Sequence, residues 1–432
     1  MGFKELLAIA IGGMVGGGIF TILGISVAMV GVLAPFAIAF GGVIAWFAAY
    51  SYVKLGVYYK DEGATYAFFK RTYPKTPMAA SFIGWYTVFG YISTLSLYAY
   101  TFSSYAISGF EFSNNELVRK ALAVSVIAIF AFVNYWSVKG MGKIEDAMVY
   151  SKLAILLLIS IVLIYFAKVD ASAFVTLIKN DFQSDSLMSV LMVSSITFVA
   201  YEGFQLVINA VNEMDDPDVN IPKAIYSAIA LVVLVYFIIA LSAVLAIPAQ
   251  ELIQNKESAL ATGMGEIIGP LGHNLVVLGA ILATSSAING TLFGASHQMA
   301  RIAEDGYMPK ILSLRNEQIP KMAILAMASV ASLMIVVGDL RLILEFGSVT
   351  FLLVSLLMAM TNFKIRDKTD SSSSVTIIAT VGLSIGAILI LYHEFITNPQ
   401  QLYFIIFIYA LLSLGAWIYA YFAKKKTIKT KR

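Results

Sequence analysis

Cysteine is absent from the 432 residues, so disulfides, thiolate metal sites and a cysteine nucleophile are excluded. Histidine is nearly absent too. The three that occur, His273, His297 and His393, are scattered at the ends of apolar stretches and read as structural, so no metal site is expected. Charge is scarce: Asp, Glu, Lys and Arg make up 13% of the chain and apolar residues 59%, against about 25% and 45–50% in soluble domains. With a mean hydropathy of +0.83, water is not the solvent for most of this surface, and no nucleic-acid partner is expected. Long polar connections are lacking as well, which leaves no room for a separate soluble domain. The phosphate-binding GxxxxGK, the nucleophile elbow and HExxH are all missing, so neither an enzyme nor a bound cofactor is expected.

What is present is a series of apolar stretches of about 20 residues, the length a helix needs to cross about 30 Å of hydrocarbon. Hydropathy with polar breaks predicts twelve spans, at about 5–30, 32–56, 78–108, 119–138, 144–167, 187–212, 222–247, 270–300, 320–337, 341–362, 374–393 and 400–423. The expectation is an all-α integral membrane protein in a lipid bilayer, one membrane domain over 1–432. Met1 to Ala8 lead into the first span without a cleavage site, so that helix is expected to stay. Alternating the connections puts 22 of the 29 basic residues on one side, among them Lys54, Lys139, Lys143, Arg301 and the tail Lys424 to Arg432. The positive-inside rule makes that side cytoplasmic, with both termini on it, in a cell membrane. The tail reads as an anchor at anionic lipid.

The strongest local signal lies in span one. Ile11-Gly12-Gly13-Met14-Val15-Gly16-Gly17-Gly18-Ile19-Phe20 carries five glycines in seven positions. Each costs a helix about 1 kcal/mol relative to alanine, so the stretch should unwind, and unwound backbone survives in lipid only where it lines a cavity or is covered by protein. Gly12 and Gly16 alone would make a GxxxG packing face. Three consecutive glycines instead point to free N–H groups at the start of a half-helix, a positive end suited to a carboxylate. Span six has a second interruption, Thr197-Phe198-Val199-Ala200-Tyr201-Glu202-Gly203-Phe204-Gln205. A carboxylate there costs a few kcal/mol unless protonated, paired or wet, so Glu202 faces protein or water. Interruptions at the first helix of two five-helix units mark an inverted-repeat transporter with its site near the midplane. Amides of the first break and carbonyls of the second suit a zwitterion.

Lys152 lies nine residues beyond Lys143, about 13 Å along a helix axis, too deep for easy snorkelling. A desolvated ammonium exchanges protons more readily, which makes Lys152 a candidate proton-coupling group. Its alternative role is a permanent charge tying helix five to carbonyls of the broken helix one. Thr284-Ser285-Ser286 in span eight could add hydrogen bonds, although hydroxyls in membrane helices usually bond their own backbone.

At these residues the chain resembles the amino acid–polyamine–organocation transporter family over nearly its full length. GGMVGGGIF is similar to the family's GxGIF stretch, and FVAYEGF followed by Glu213 to Pro217 and Ile221-Pro222-Lys223-Ala224-Ile225 to its E-x-x-x-P…IP-x-A-I segment. Met299-Ala300-Arg301 through Asp305-Gly306-Tyr307-Met308-Pro309 resembles its A-R-x-x-x-x-D-G-x-x-P loop. The resemblance implies the inverted five-plus-five fold of leucine-transporter-type proteins. It has discontinuous helices one and six, repeats at about 5–167 and 187–362, and two extra helices at about 374–423. It implies a substrate carboxylate at the amides of Gly16, Gly17 and Gly18, and an amine at carbonyls around Met14, Phe198, Val199 and Ala200, with Phe198 as an aromatic lid. It also implies that Lys152 stands where sodium-driven relatives hold sodium, reaching the backbone near Gly12 and Ser285 or Ser286. Glu202 is left with three roles: second proton site, contact for a cationic side chain, or neutral hydrogen-bonding residue.

The function these features lead to is proton-coupled import of amino acids by alternating access, the proton being the coupling ion. An amino acid exchanger gated by Glu202 and a non-transporting amino acid sensor are the rival expectations. The amino acid carried and the oligomeric state stay open.

Overall fold

The structure is a computed structural model that describes residues 1–136, 141–184, 187–316 and 319–430, without the side chains of 141–147, 171, 183, 184 and 423–430. The side chains of Lys139, Lys143 and the basic tail Lys424 to Arg432, counted above for orientation, therefore lie outside the described residues. Every regular element described is helical. The first half comprises α1 (Phe3–Met14), α2 (Gly18–Val30), α3 (Ala34–Tyr59), α4 (Ala64–Thr72), α5 (Pro77–Ile107), α6 (Glu116–Trp136), α7 (Met141–Tyr165) and α8 (Ala171–Ser184). A middle group follows: α9 (Leu187–Ile196), α10 (Leu206–Asn209), α11 (Pro217–Ala246), α12 (Ala249–Gln254), α13 (Ala259–Ile268) and α14 (Pro270–Glu304). The chain ends with α15 (Lys321–Val337), α16 (Leu340–Lys364), α17 (Arg366–Thr369), α18 (Ser373–Thr397) and α19 (Pro399–Thr430).

Eight helical stretches among the described residues are long and apolar enough to cross a membrane: Gly18–Tyr59, Met148–Tyr165, Leu187–Asn209, Pro217–Ala246, Pro270–Glu304, Leu340–Lys364, Ser373–Thr397 and Pro399–Phe422. The first, at 42 residues, is about twice the length one crossing needs and is interrupted at Gly31, whose φ is +53°. Three further segments expected to span are helical without meeting that measure: hydroxyl-rich α5, α6, which opens on Glu116, Arg119 and Lys120, and α15, with 17 residues. α1 supplies the short first piece of the broken span one.

Periodicity decides which side of a helix meets protein. On α7 the buried residues Val149, Lys152, Leu156, Ile159 and Leu163 recur every three or four positions, while Leu157, Leu158, Ile161 and Ile164 are exposed. Large exposed apolar side chains on the outer helices would be a liability in water and suit a lipid face. Lys152 belongs to the inward stripe.

The two ends of the bundle are distinguishable. At one, the N-terminal ammonium donates to the Glu213 carbonyl at 2.6 Å, Lys60 pairs with Asp218 at 2.7 Å, and Lys54 donates to the Asp370 carbonyl. At the other, α12 and α13 lie across the ends of α2 and α14, and Lys120 donates to the Gly338 carbonyl at 2.8 Å.

Candidate functional site

α1 stops at Met14, and helical hydrogen bonding resumes only at Gly18. Val15 adopts φ −83° and ψ 73°, outside the helical region, and its amide still bonds the Ile11 carbonyl. The Gly16 amide turns back to the Met14 carbonyl at 2.9 Å. Of the three amides expected to meet a carboxylate, that of Gly16 is thus engaged locally. Gly17 and Gly18 stand at the N-terminus of α2, where the first amides have no intrahelical partner and Gly17, at the cap position, has no side chain to take them. Glycine is demanded here by close approach: a Cβ on Gly18 would lie 2.7 Å from the Ala200 Cβ, and one on Gly16 2.6 Å from the Ala287 Cβ.

α9 gives way at Ile196 to a tight turn over Thr197–Tyr201; Glu202 is extended and Gly203 has φ +125°. Only glycine adopts that conformation without strain. A Cβ on Gly203 would come within 2.4 Å of the Gly13 carbonyl carbon, so the two breaks lie backbone to backbone. Phe198, Val199 and Ala200 are all buried, and the Val199 carbonyl accepts the Glu202 amide at 3.2 Å. The carbonyls of Met14 and Ala200 converge on one group, the hydroxyl of Tyr236 in α11, at 2.9 and 3.3 Å. One O–H serves two acceptors, leaving capacity for a stronger donor. Tyr98 of α5 donates to the Gly13 carbonyl at 3.3 Å, and Thr101, one turn on, shares a 2.5 Å hydrogen bond with Thr21.

Glu202 is buried. Its Oε2 accepts from Gln205 Nε2 at 2.7 Å, and Oε1 has no hydrogen-bond partner among the described residues. Gln205 Nε2 also donates to the Tyr91 hydroxyl at 3.2 Å, and Gln205 Oε1 accepts the Gly203 amide at 3.1 Å. The carboxyl therefore braces the second break from the side, with Tyr52, Tyr91 and Tyr98 around it.

Lys152 is fully buried, and its Nζ donates to the Gly12 carbonyl at 3.1 Å, just before the first break. Ser286, expected beside it, instead has a buried hydroxyl with no hydrogen-bond partner among the described residues, and Thr284 bonds the Ala280 carbonyl in its own helix at 2.6 Å. No described hydrogen bond joins Ser285 to the lysine.

A cavity of about 420 Å³ leads inward from the end that carries Met1. Glu5, Asn209 and Glu213 line its polar walls, and it reaches Gly12, Gly13 and Ser286 on the underside of the first break. The opposite end is closed. There the Lys256 backbone would meet a Cβ on Gly24 at 2.6 Å, and the Arg119 guanidinium lies between Glu116 at 2.6 Å and Glu257 at 2.7 Å. Burial pushes the Glu257 carboxyl above the usual carboxylate range, with Arg119 opposing the rise and Glu116 adding to it.

Sequence reasoning missed Tyr98, Thr101, Gln205 and Tyr236. A signal existed for the last: Tyr236 is a hydroxyl in the middle of Ala230-Leu231-Val232-Val233-Leu234-Val235, Phe237-Ile238-Ile239, an otherwise unbroken apolar run. The hydroxyl density of α5 was the corresponding signal for Tyr98 and Thr101.

The chain matches the sequence model described as amino acid permease over residues 1–412. It is 28% identical to the inner membrane transport protein YbaT of Escherichia coli, over 94% of this chain and 93% of that protein. It is 24% identical to the b(0,+)-type amino acid transporter 1 of Homo sapiens, over 94% and 85%. To the methylthioribose transporter of Bacillus subtilis it is 25% identical, over 72% and 68%. By name these three relatives are transporters, one of amino acids and one of methylthioribose. With a match across all the helices that form the two breaks, the cavity and its closed end, this chain belongs to the amino acid permease family and is a transporter of the amino acid–polyamine–organocation type.

Proposed function

We propose that the protein imports amino acids by alternating access and couples the import to protons through Lys152. The observation that carries the reading is the meeting of the two breaks. The N-terminus of α2 at Gly17 and Gly18 packs against Ala200, and the carbonyls of Met14 and Ala200 meet at Tyr236, so a donor and an acceptor set for the two charged groups every amino acid shares stand side by side at the double break. The ammonium of a substrate would take the two carbonyls now held by Tyr236. Phe198 would cover it. In this reading Lys152, at the Gly12 carbonyl, is deprotonated through the cavity that touches Gly12 and reprotonated from the other side. Loss of its charge removes a tie to α1 and frees that half-helix to move. Glu202, with Gln205 and three tyrosines around it, acts as a neutral brace of the second break. The proposal includes twelve spans, an inverted five-plus-five arrangement, a cell-membrane location and a cytoplasmic face at the end bearing Met1.

Proteoliposome uptake tests it. Accumulation of radiolabelled amino acid should follow an imposed pH gradient, and Lys152→Ala should reduce it to the level of protein-free liposomes while binding persists. Uptake indifferent to the gradient but dependent on internal amino acid would establish exchange instead. The methylthioribose relative supports a second substrate reading, a sugar thioether without a zwitterion. A competition panel containing both classes decides between them, since only a zwitterion uses both halves of the double break.

A further inference from the structure

At the end of the bundle away from Met1, outside the lining of the cavity, a second buried charge cluster joins α16, α18 and α19. Arg341 Nε donates to Glu345 Oε1 at 2.7 Å, and its Nη2 donates to Glu394 Oε1 at 3.0 Å and to His393 Nε2 at 2.8 Å. Gln401 Nε2 donates to Glu345 Oε2 at 3.0 Å. A guanidinium only donates, so His393 Nε2 is an acceptor, and the imidazole is neutral with its proton on Nδ1. Glu345 and Glu394 are 1% and 0% exposed. Two carboxyls thus face one guanidinium where water cannot screen the excess negative charge.

The hydrogen bonds divide the two carboxyls. Both oxygens of Glu345 accept, as an anion requires. Glu394 Oε2 is buried with no partner among the described residues, while both carboxyls accept from the same guanidinium. A proton on that oxygen relieves a buried, unpartnered anionic acceptor and brings the cluster to neutrality. The facing groups are Arg341 and Glu345 from α16, His393 and Glu394 from α18, and uncharged Gln401 from α19. Among the described residues no set of side chains is gathered for a metal ion.

We propose that Glu345 and Glu394 form a site that binds one proton between them, with Arg341 as its fixed counter-charge. Arg341 is half-buried, and its outer edge gives the proton a way in from the membrane surface. The site is independent of Lys152 and stands whether or not the substrate is an amino acid.

Infrared spectroscopy of the full chain in liposomes reads the proton directly. The difference between wild type and Glu394→Gln at neutral pH should contain a protonated-carboxyl band, and that band should bleach as pH rises. A proton held by the folded state and not by the unfolded makes stability fall with rising pH. The melting temperature should therefore drop with pH in wild type and flatten in Glu394→Gln, in which one anion faces one cation at every pH. Glu345→Gln serves the same comparison if the first variant does not fold. An unchanged band and an unchanged pH slope in both variants overturn the proposal. So does a rise in melting temperature when sodium or potassium replaces an organic cation, present in wild type and lost in Glu394→Gln, because the ligand would then be a metal cation.

Discussion

At the scale of single residues, the glycines of the first break differ sharply from those elsewhere. Gly18 is held against Ala200 so closely that a methyl group would fall 2.7 Å from the facing Cβ, whereas a Cβ at Gly382 in α18 would meet nothing within 4 Å. The opposing Ala200 side chain has no rotamer to yield, so the α2 backbone itself would have to shift. Gly18→Ala should lose uptake and cost about 1–3 kcal/mol in stability, the usual range for overpacking. Gly382→Ala should leave uptake intact and leave stability equal or higher, because alanine favours a helix. Thermal unfolding in detergent alongside liposome uptake checks both; equal effects at the two positions would show that the close approach at Gly18 does not matter. Tyr236 has the complementary lesson. Its hydroxyl donates to the two carbonyls that the proposed site offers to an ammonium, so neither is left an orphan acceptor.

At the scale of elements, the segment from α12 to α13 is the strap that closes one end, and its tie is ionic. Glu257 is raised above the usual carboxylate range mainly by burial, so the strapped state binds its proton more tightly than a detached, solvated loop does. The sign follows: closure is favoured as pH falls toward the titration of Glu257 and weakened as pH rises through it. Hydrogen exchange of residues 249–268, corrected for intrinsic rates, should slow at acidic pH relative to neutral, and Glu257→Gln should remove the difference. Elements also show what was readable in advance. The breaks at Gly16-Gly17-Gly18 and Glu202-Gly203 were legible because glycine and a carboxylate are costly in an apolar helix and stand out against it. The inward position of Lys152 was legible from depth, and its hydrogen bond to Gly12 fits the expected backbone contact. The engagement of Gly16 with Met14 was not legible, since the glycines mark an unwound stretch without singling out Val15 as the residue that leaves the helical region. Nor was the Arg341, Glu345 and Glu394 cluster, whose members lie on two helices and meet only through packing.

At the scale of the whole molecule, access is one-sided. The cavity opens at the end carrying Met1 and stops beneath the double break, while Arg119, Glu257 and the Lys256 backbone seal the other end. In the proposed alternating cycle this is one state, and a second must exist in which these roles exchange. The absence of cysteine makes this testable without background, since a single introduced thiol is the only reactive one. Asn209→Cys reports on the cavity wall and Thr101→Cys on the sealed side, next to Gly17. Without substrate, a membrane-impermeant maleimide should label Asn209→Cys quickly, from the side of the termini alone, and leave Thr101→Cys unlabelled from either side. Vesicles of known orientation then fix which side is cytoplasmic. Under a proton gradient with amino acid present, Thr101→Cys should gain reactivity from the opposite side as Asn209→Cys slows, because each turn of the cycle trades one opening for the other. If both positions react from both sides at rates that substrate and gradient leave unchanged, the cavity is a surface pocket and not one half of a transport path.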